Sequence, residues 1–255
     1  MTGITTTRIR SGYPAAAAPT VDNIRAREEG ALEPWYRIAK AALLPANKLW
    51  FNWRLEGTDR IPPTGPVIVA GNHLSYLDPF AHAYFVVEAG RRPRFLAKRE
   101  LFDNRFTGMV LRGAGQIPVA RGTGDTQPLL AAADALEHGE VVVIYPEGTS
   151  QTADPDFRPT GAKTGVARLA LMTGVPVLPV ATWGGQYVWR RSGRESLKFG
   201  RPIWVRAGEP LDLATSGADP ADRDATQALT DEVMSALSGL VDDMRAGYPK
   251  AWRRG

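Results

Sequence analysis

The sequence predicts an α/β fold: a largely parallel central sheet flanked by helices, preceded by an N-terminal amphipathic two-helix segment. Short apolar, β-branched runs at 66–70, 141–145 and 177–180 read as buried strands. Segments of helical period alternate with such runs through short connections, the pattern of strands covered by helices. The length of 255 residues suits one main hydrophobic core.

Taken in order, residues 1–33 are expected to form a weakly ordered tail, with the Thr5-Thr6-Thr7 run and the alanines between Pro14 and Pro19. Residues 34–54 change character. Trp35, Tyr36, Leu43, Leu44, Trp50, Phe51 and Trp53 are interleaved with Arg37, Lys40, Lys48 and Arg54, without an acidic residue. Pro45 is expected to divide this segment into two short helices. It reads either as an interfacial anchor on an anionic membrane, with aromatic rings at headgroup level and snorkelling cations, or as a hairpin capping its own core.

The α/β domain then occupies 55–255. Strand 66–70 is punctuated by Gly71, and Pro79 suits the first turn of the following helix. Residues 94–97 make a strand, 106–112 a helix and 116–119 another strand. The helix at 128–138 is predicted to turn Leu129, Leu130, Ala133 and Leu136 inward, with Gly139 at its end. Strand 141–145, helix 164–173, and strands 177–180 and 203–206 follow. A polar linker at 212–222 leads to a closing helix with Leu229, Val233, Leu237, Leu240 and Met244 on one side.

The chain has no cysteine, which removes disulfides, thiolate metal sites and cysteine nucleophiles. Its three histidines are His73, His82 and His138. A net charge of +4 fits an anionic partner. No apolar run reaches the roughly 18 residues of a spanning helix, and no secretory core opens the chain. A cytoplasmic protein that can lie on a membrane is the expectation.

Two constellations carry chemistry. In Asn72-His73-Leu74-Ser75-Tyr76-Leu77-Asp78, an imidazole and a carboxylate leave a strand end, where open α/β sheets build their sites. A carboxylate that accepts from one ring nitrogen fixes the tautomer and leaves the other nitrogen to take a proton. On one continuous helix of about 3.6 residues per turn the two side chains would diverge, so the turn has to bend between them. The alternative is that Asp78 or Ser75 caps the helix and His73 is a satisfied core residue. The second is Pro146-Glu147-Gly148-Thr149-Ser150, where a glycine lets backbone N–H groups approach an anion, or which is an ordinary turn. Arg121, at another strand end, offers a guanidinium fork suited to phosphate, or is a solvated cation. Asp78 and His82 share a helical face but recruit no third ligand nearby, so no metal site is expected, and His82 reads as structural.

Four blocks, residues 72–78, 115–121, 146–149 and 175–180, resemble in order those of the glycerolipid acyltransferases, the 1-acylglycerol-3-phosphate (lysophosphatidate) acyltransferase family, over roughly 55–210. The resemblance implies that His73 is the base, Asp78 its orienter and Arg121 a phosphate ligand. It implies that Glu147, Gly148 and Thr149 shape the acceptor site. The donor would be a fatty acyl thioester of coenzyme A or acyl carrier protein, with no other cofactor. The acceptor would be a phosphate-bearing glycerolipid, residues 34–54 would rest on the membrane, and nucleic acid is not an expected partner. Many members carry Arg after Glu-Gly-Thr, where this chain has Ser150, so Arg158 or Lys163 would supply that phosphate contact. Pro118 and Ala120 also depart from the second block. Glycerol 3-phosphate, another lysophospholipid or a glycolipid stay open as acceptors, as does a non-catalytic lipid-binding protein of the same fold. A nucleotide-dependent enzyme is disfavoured by the absence of glycine-rich phosphate loops.

Overall fold

In the computed structural model, the described residues are 41, 45, 48–120, 125–148, 162–189 and 197–253. Seven strands and six α-helices follow in chain order among the described residues. They are β1 (Asn52–Glu56), β2 (Val67–Gly71), α1 (Asp78–Glu88), β3 (Pro93–Lys98), α2 (Glu100–Asp103), α3 (Arg105–Gly113), β4 (Ile117–Val119), α4 (Gln127–Glu137), β5 (Val141–Ile144), α5 (Gly165–Thr173), β6 (Val177–Trp183), β7 (Pro202–Ala207) and α6 (Arg223–Gly247).

The strands form one sheet in the order β1-β7-β6-β2-β5-β3-β4. Strands β2 to β6 run parallel to one another; β7 is antiparallel to β6, and β1 is parallel to β7. The apolar runs are explained by burial on both faces. Along β2, Val67 and Val69 enter one core, with Val141 and Val143 of β5, Leu178 and Val180 of β6, and Leu77, Ala81 and Phe85 of the α1 region. Ile68 and Ala70 enter the other, with Ala132 and Leu136 of α4, Leu169 of α5, and Val233, Leu237 and Met244 of α6. The period of two thus divides each strand between two helical layers.

The reversal at β7 positions the site. Because β1 and β7 oppose β2, the residues entering β1 and β7 lie at the same end of the sheet as the residues leaving β2, β3, β4, β5 and β6. We call this the reaction end. Local pattern does not distinguish the two directions, so the sequence gives the strands but not this polarity.

Three expectations change. Residues 52–54 are not part of a helical segment: Asn52–Glu56 is the edge strand β1, paired with β7 from Asn52↔Pro202 to Glu56↔Arg206. The polar-apolar alternation Asn-Trp-Arg-Leu-Glu is a strand period, and Phe51 is buried in the core. Of the residues before it, Ala41, Pro45 and 48–50 are described, and they are helical and exposed; the rest of the expected two-helix segment lies outside the described residues. Leu130 points outward, 38% exposed, while Ala133 and Leu136 are buried as expected and Leu129 packs partly against the core. The expected 212–222 linker contains a 3-10 turn, Leu213–Ser216, that buries Leu213. The tail at 1–33 lies outside the described residues.

Leu237→Ala, which empties a fully buried site on α6, should lower unfolding free energy by about 2–5 kcal/mol. Leu130→Ser should stay within about 0.5 kcal/mol. Urea unfolding of both variants checks this; an equal loss would return Leu130 to the core.

Candidate active site

Strand β2 delivers Asn72 and His73 to the reaction end. The Asn72 amide makes a two-way bond with β6, its Nδ2 donating to the Thr182 carbonyl at 3.0 Å and its Oδ1 accepting from the Thr182 N–H at 2.7 Å. The chain then bends through 74–77 before α1 begins at Asp78. What bends it is the buried Asp78 carboxylate. Oδ2 accepts from the backbone N–H of Leu74 at 2.5 Å and of Ser75 at 2.6 Å, and lies 3.4 Å from His73 Nδ1. Oδ1 accepts from the hydroxyls of Ser75 at 2.9 Å and Thr182 at 3.0 Å. Ser75 Oγ in turn accepts from the Leu77 N–H at 3.1 Å. A buried carboxylate is costly unless its lone pairs are filled; here the turn fills them, and the imidazole meets the carboxylate because of it. Asp78 also sits in the first turn of α1, where the helix dipole favours negative charge.

The His73 ring is mostly covered, with its side chain 14% exposed. It stacks on Tyr145, the residue after β5, with centroids 4.6 Å apart and planes at 26°. The Tyr145 hydroxyl lies 3.1 Å from Nδ1 of His82, whose Nε2 lies 2.9 Å from the Val180 carbonyl. Burial pushes the His82 pKa down and pushes the Tyr145 phenol well up, with Asp78 and Glu147 adding to the latter. His82 Nδ1 also lies 3.0 Å from the Asp78 backbone carbonyl, so the single N–H of the neutral ring serves one of two carbonyls, Asp78 or Val180. Gly71 makes room for this pair: a Cβ there would come within 2.7 Å of His82 Nε2 and 2.9 Å of the Tyr145 ring. Gly185, beyond β6, similarly lets its backbone close over Ser75, whose Oγ would be 2.6 Å from an added Cβ.

Glu147 comes from the turn after β5, the strand next to β2. Its Oε1 accepts from the His73 backbone N–H at 2.8 Å, and its buried Oε2 has no hydrogen-bond partner among the described residues. Burial raises its pKa to about 8, the His73 N–H pulling it down and the nearby Asp78 charge pushing it up. Glu147 is therefore largely neutral at pH 7. Lys163 is exposed, donates its backbone N–H to the Pro146 carbonyl at 2.9 Å, and lays its side chain over Gly148.

Of the residues singled out in the sequence, His73, Asp78, Glu147, Gly148 and Lys163 thus meet at the reaction end. Arg121, Thr149 and Arg158 lie outside the described residues. Sequence reading missed Thr182 and Tyr145. Their signal was weak, a hydroxyl-bearing residue at or just after a strand's C-terminal end. His82 is buried as a structural histidine, its Nδ1 3.0 Å from the Asp78 backbone carbonyl rather than from the carboxylate. The arrangement is that of an imidazole with one nitrogen directed to a fixed carboxylate and the other left to exchange a proton with a bound group.

A family model described as Acyltransferase matches residues 52–183, from β1 to the end of β6. The 1-acyl-sn-glycerol-3-phosphate acyltransferase of Bacillus subtilis is 24% identical over 209 residues, covering 82% of this chain and 98% of that protein. The 1-acyl-sn-glycerol-3-phosphate acyltransferase alpha of Mus musculus is 29% identical over 205 residues, covering 79% of this chain and 68% of its own. The crystal structure of the 1-acyl-sn-glycerophosphate (LPA) acyltransferase PlsC from Thermotoga maritima shares the fold, with a TM-score of 0.62 at 24% identity over 89% of this chain and 84% of that one. With the family model spanning six of the seven strands and both carboxyl groups around His73, the chain belongs to the Acyltransferase family of O-acyltransferases.

Proposed function

We propose that this enzyme moves a fatty acyl group from a thioester, acyl-CoA or acyl-acyl carrier protein, to a glycerol hydroxyl of a phosphate-bearing acceptor. The acceptor that fits best is 1-acylglycerol 3-phosphate, which places the reaction in phospholipid synthesis. One observation carries the reading: His73 Nδ1 faces a carboxylate whose other hydrogen bonds are all made by the fold itself.

In this mechanism Asp78 holds the His73 tautomer with the proton on Nδ1, so that Nε2 is the basic nitrogen. Nε2 takes the hydroxyl proton as the acceptor oxygen attacks the thioester carbonyl. The tetrahedral intermediate collapses with cleavage of the C–S bond, and the imidazolium returns its proton to the departing sulfur. The acyl group passes directly to the acceptor, as suits a chain without cysteine or a Gly-x-Ser-x-Gly elbow. Tyr145 supports the ring from behind, and neutral Glu147 fixes the His73 backbone without adding a second negative charge beside Asp78. Lys163, whose side chain lies over Gly148, would receive the acceptor's phosphate, with Arg121 and Arg158 as further ligands and Thr149 shaping the acceptor site. The helical, exposed residues before β1 belong to a segment, 34–51, that would rest on the cytoplasmic face of the membrane. No helix among the described residues is long and apolar enough to cross it.

The test is thiol release across a panel of acceptors: 1-acylglycerol 3-phosphate, glycerol 3-phosphate, uncharged monoacylglycerol and other lysophospholipids. Preference for the first is expected, and release equal with uncharged monoacylglycerol would remove the phosphate from recognition. His73→Ala should cut turnover by about 10²–10⁴-fold with the unfolding midpoint unchanged. Asp78→Ala should cost turnover and, by orphaning the Leu74 and Ser75 N–H groups, about 1–3 kcal/mol of stability as well. Wild-type turnover in His73→Ala would defeat the proposal.

Glu147 gives a pH signature. Its folded pKa, raised to about 8, means the folded state holds a proton that the unfolded chain releases near pH 4.3. Its contribution is therefore present at low pH and lost as pH rises from about 4.3 through 8. Wild-type stability should fall relative to Glu147→Gln by roughly 1–4 kcal/mol between pH 5 and pH 9, measured by urea unfolding at each pH. A difference independent of pH would show that Glu147 is charged throughout.

A further inference from the structure

His73 changes charge in the reaction proposed above: it is neutral before the acceptor is deprotonated and an imidazolium once Nε2 has taken the proton. A cation formed in so enclosed a place needs partners. Asp78 supplies one at the edge of the ring, 3.4 Å from Nδ1. The neighbouring strand supplies another at its face. The Tyr145 ring lies 4.6 Å from the imidazole with the planes at 26°, and Phe95 stacks with Tyr145 at 6.3 Å and 18°. The three rings come from the ends of β2 and β5 and from within β3, which are neighbours in the sheet. Strands about 4.8 Å apart thus set the spacing between His73 and Tyr145.

What fixes the middle ring is buried. The Tyr145 hydroxyl lies 3.1 Å from Nδ1 of His82, a residue with no exposed surface, whose Nε2 lies 2.9 Å from the Val180 carbonyl. The plane of His82 stands at 76° to that of the tyrosine, with centroids 5.4 Å apart. It therefore grips the ring by the hydroxyl and leaves the face against His73 untouched. Burial holds His82 toward its neutral form and the phenol toward its protonated one, so neither adds a charge beside the imidazolium. The face of such a ring carries the negative lobe of its quadrupole, which attracts a cation within about 6 Å of the centroid.

We propose that Tyr145 is a positioning residue that does more than support His73: its π face stabilises the imidazolium formed as the acceptor hydroxyl gives up its proton, and His82 is the tether that sets the plane of that face. This rests on the reaction proposed above, in which the proton passes from the hydroxyl to Nε2 and on to the departing sulfur. The attraction is strong only while His73 is charged. It therefore favours the transition state over the bound substrates and belongs in kcat rather than in KM.

The experiment replaces the ring's electron density while keeping its shape. Turnover on 1-acylglycerol 3-phosphate is measured for Tyr145→Phe and for proteins carrying para-methyl-, para-fluoro- or para-cyanophenylalanine at that position. The para group takes the place of the hydroxyl; the ring edge is a poorer site, since a Cβ on Gly71 would already stand 2.9 Å from Tyr145 Cε1. Loss of the tether should leave Tyr145→Phe about 2- to 10-fold below the wild type in kcat. Within the series kcat should fall in the order methyl, unsubstituted, fluoro, cyano, the last about 5- to 30-fold below the unsubstituted ring, with both KM values and the unfolding midpoint level. Methyl and fluoro, close to the hydroxyl in size, decide the order by themselves if the longer cyano group prevents folding. Tyr145→Leu, which removes the face, should lie below Tyr145→Phe. Level kcat across the series, or a rise in KM with kcat level, in an enzyme that still needs His73 would overturn this inference alone. Wild-type turnover in His73→Ala, or no thiol release by the wild type, would overturn the reaction and this inference together.

Discussion

The carboxylate of Asp78 is the constraint on which the rest of the site depends. Removed from water, it must collect hydrogen bonds or give up its charge. It collects them from both sides of the sheet's reaction end: the turn after β2 supplies two backbone N–H groups and the Ser75 hydroxyl, and β6 supplies the Thr182 hydroxyl. Filling these lone pairs sets the path of the chain between strand and helix. The same Thr182 residue is bound through its backbone by Asn72, so the bend and the adjacent strand are locked together. His73 meets the carboxylate because the backbone around it has already been drawn there.

Behind the imidazole the protein uses two further strand ends with different physics. From β5 comes an aromatic plane, Tyr145, held by His82 in a dry environment where both stay uncharged. From the next residues comes Glu147, which has one hydrogen bond where Asp78 has several, and burial shifts it toward the neutral form. Two carboxyl groups near one histidine are thus differentiated by the number of donors the fold directs at each. The same contrast, a solvated or well-bonded carboxylate beside a desolvated one, recurs where acid and base roles must be kept apart.

Much of this was legible in the sequence, for reasons that can be named. Strands β2, β5 and β6 are apolar because both faces are covered, and Gly71 and Pro79 mark where strand ends and helix starts. Histidine and aspartate lie close enough along the chain for their pairing to be read as a local event. The Thr182 contact spans 104 positions, and nothing in a threonine at a strand end announces its partner. Strand β1 was obscured because Trp53 and Arg54 satisfy an interfacial helix as well as an edge strand; pairing with β7 decides between them. Leu130 was misassigned for a related reason, since a helical apolar face one residue too wide has no local penalty that reveals which residue faces water.

The reversed direction of β7 has a consequence for how such a protein can change over time. Its connection from β6 starts and finishes at the reaction end. The first residues of that connection are fixed, with Tyr187 in one core, Val188 in the other and Gly185 closed over Ser75, so length and composition can vary only beyond them without repacking either core. The residues that enter β1 arrive at that end too. A lineage with this topology can therefore explore new acceptors and new surfaces by editing two peripheral stretches, while the turn that holds His73 and Asp78 stays fixed between β2 and α1.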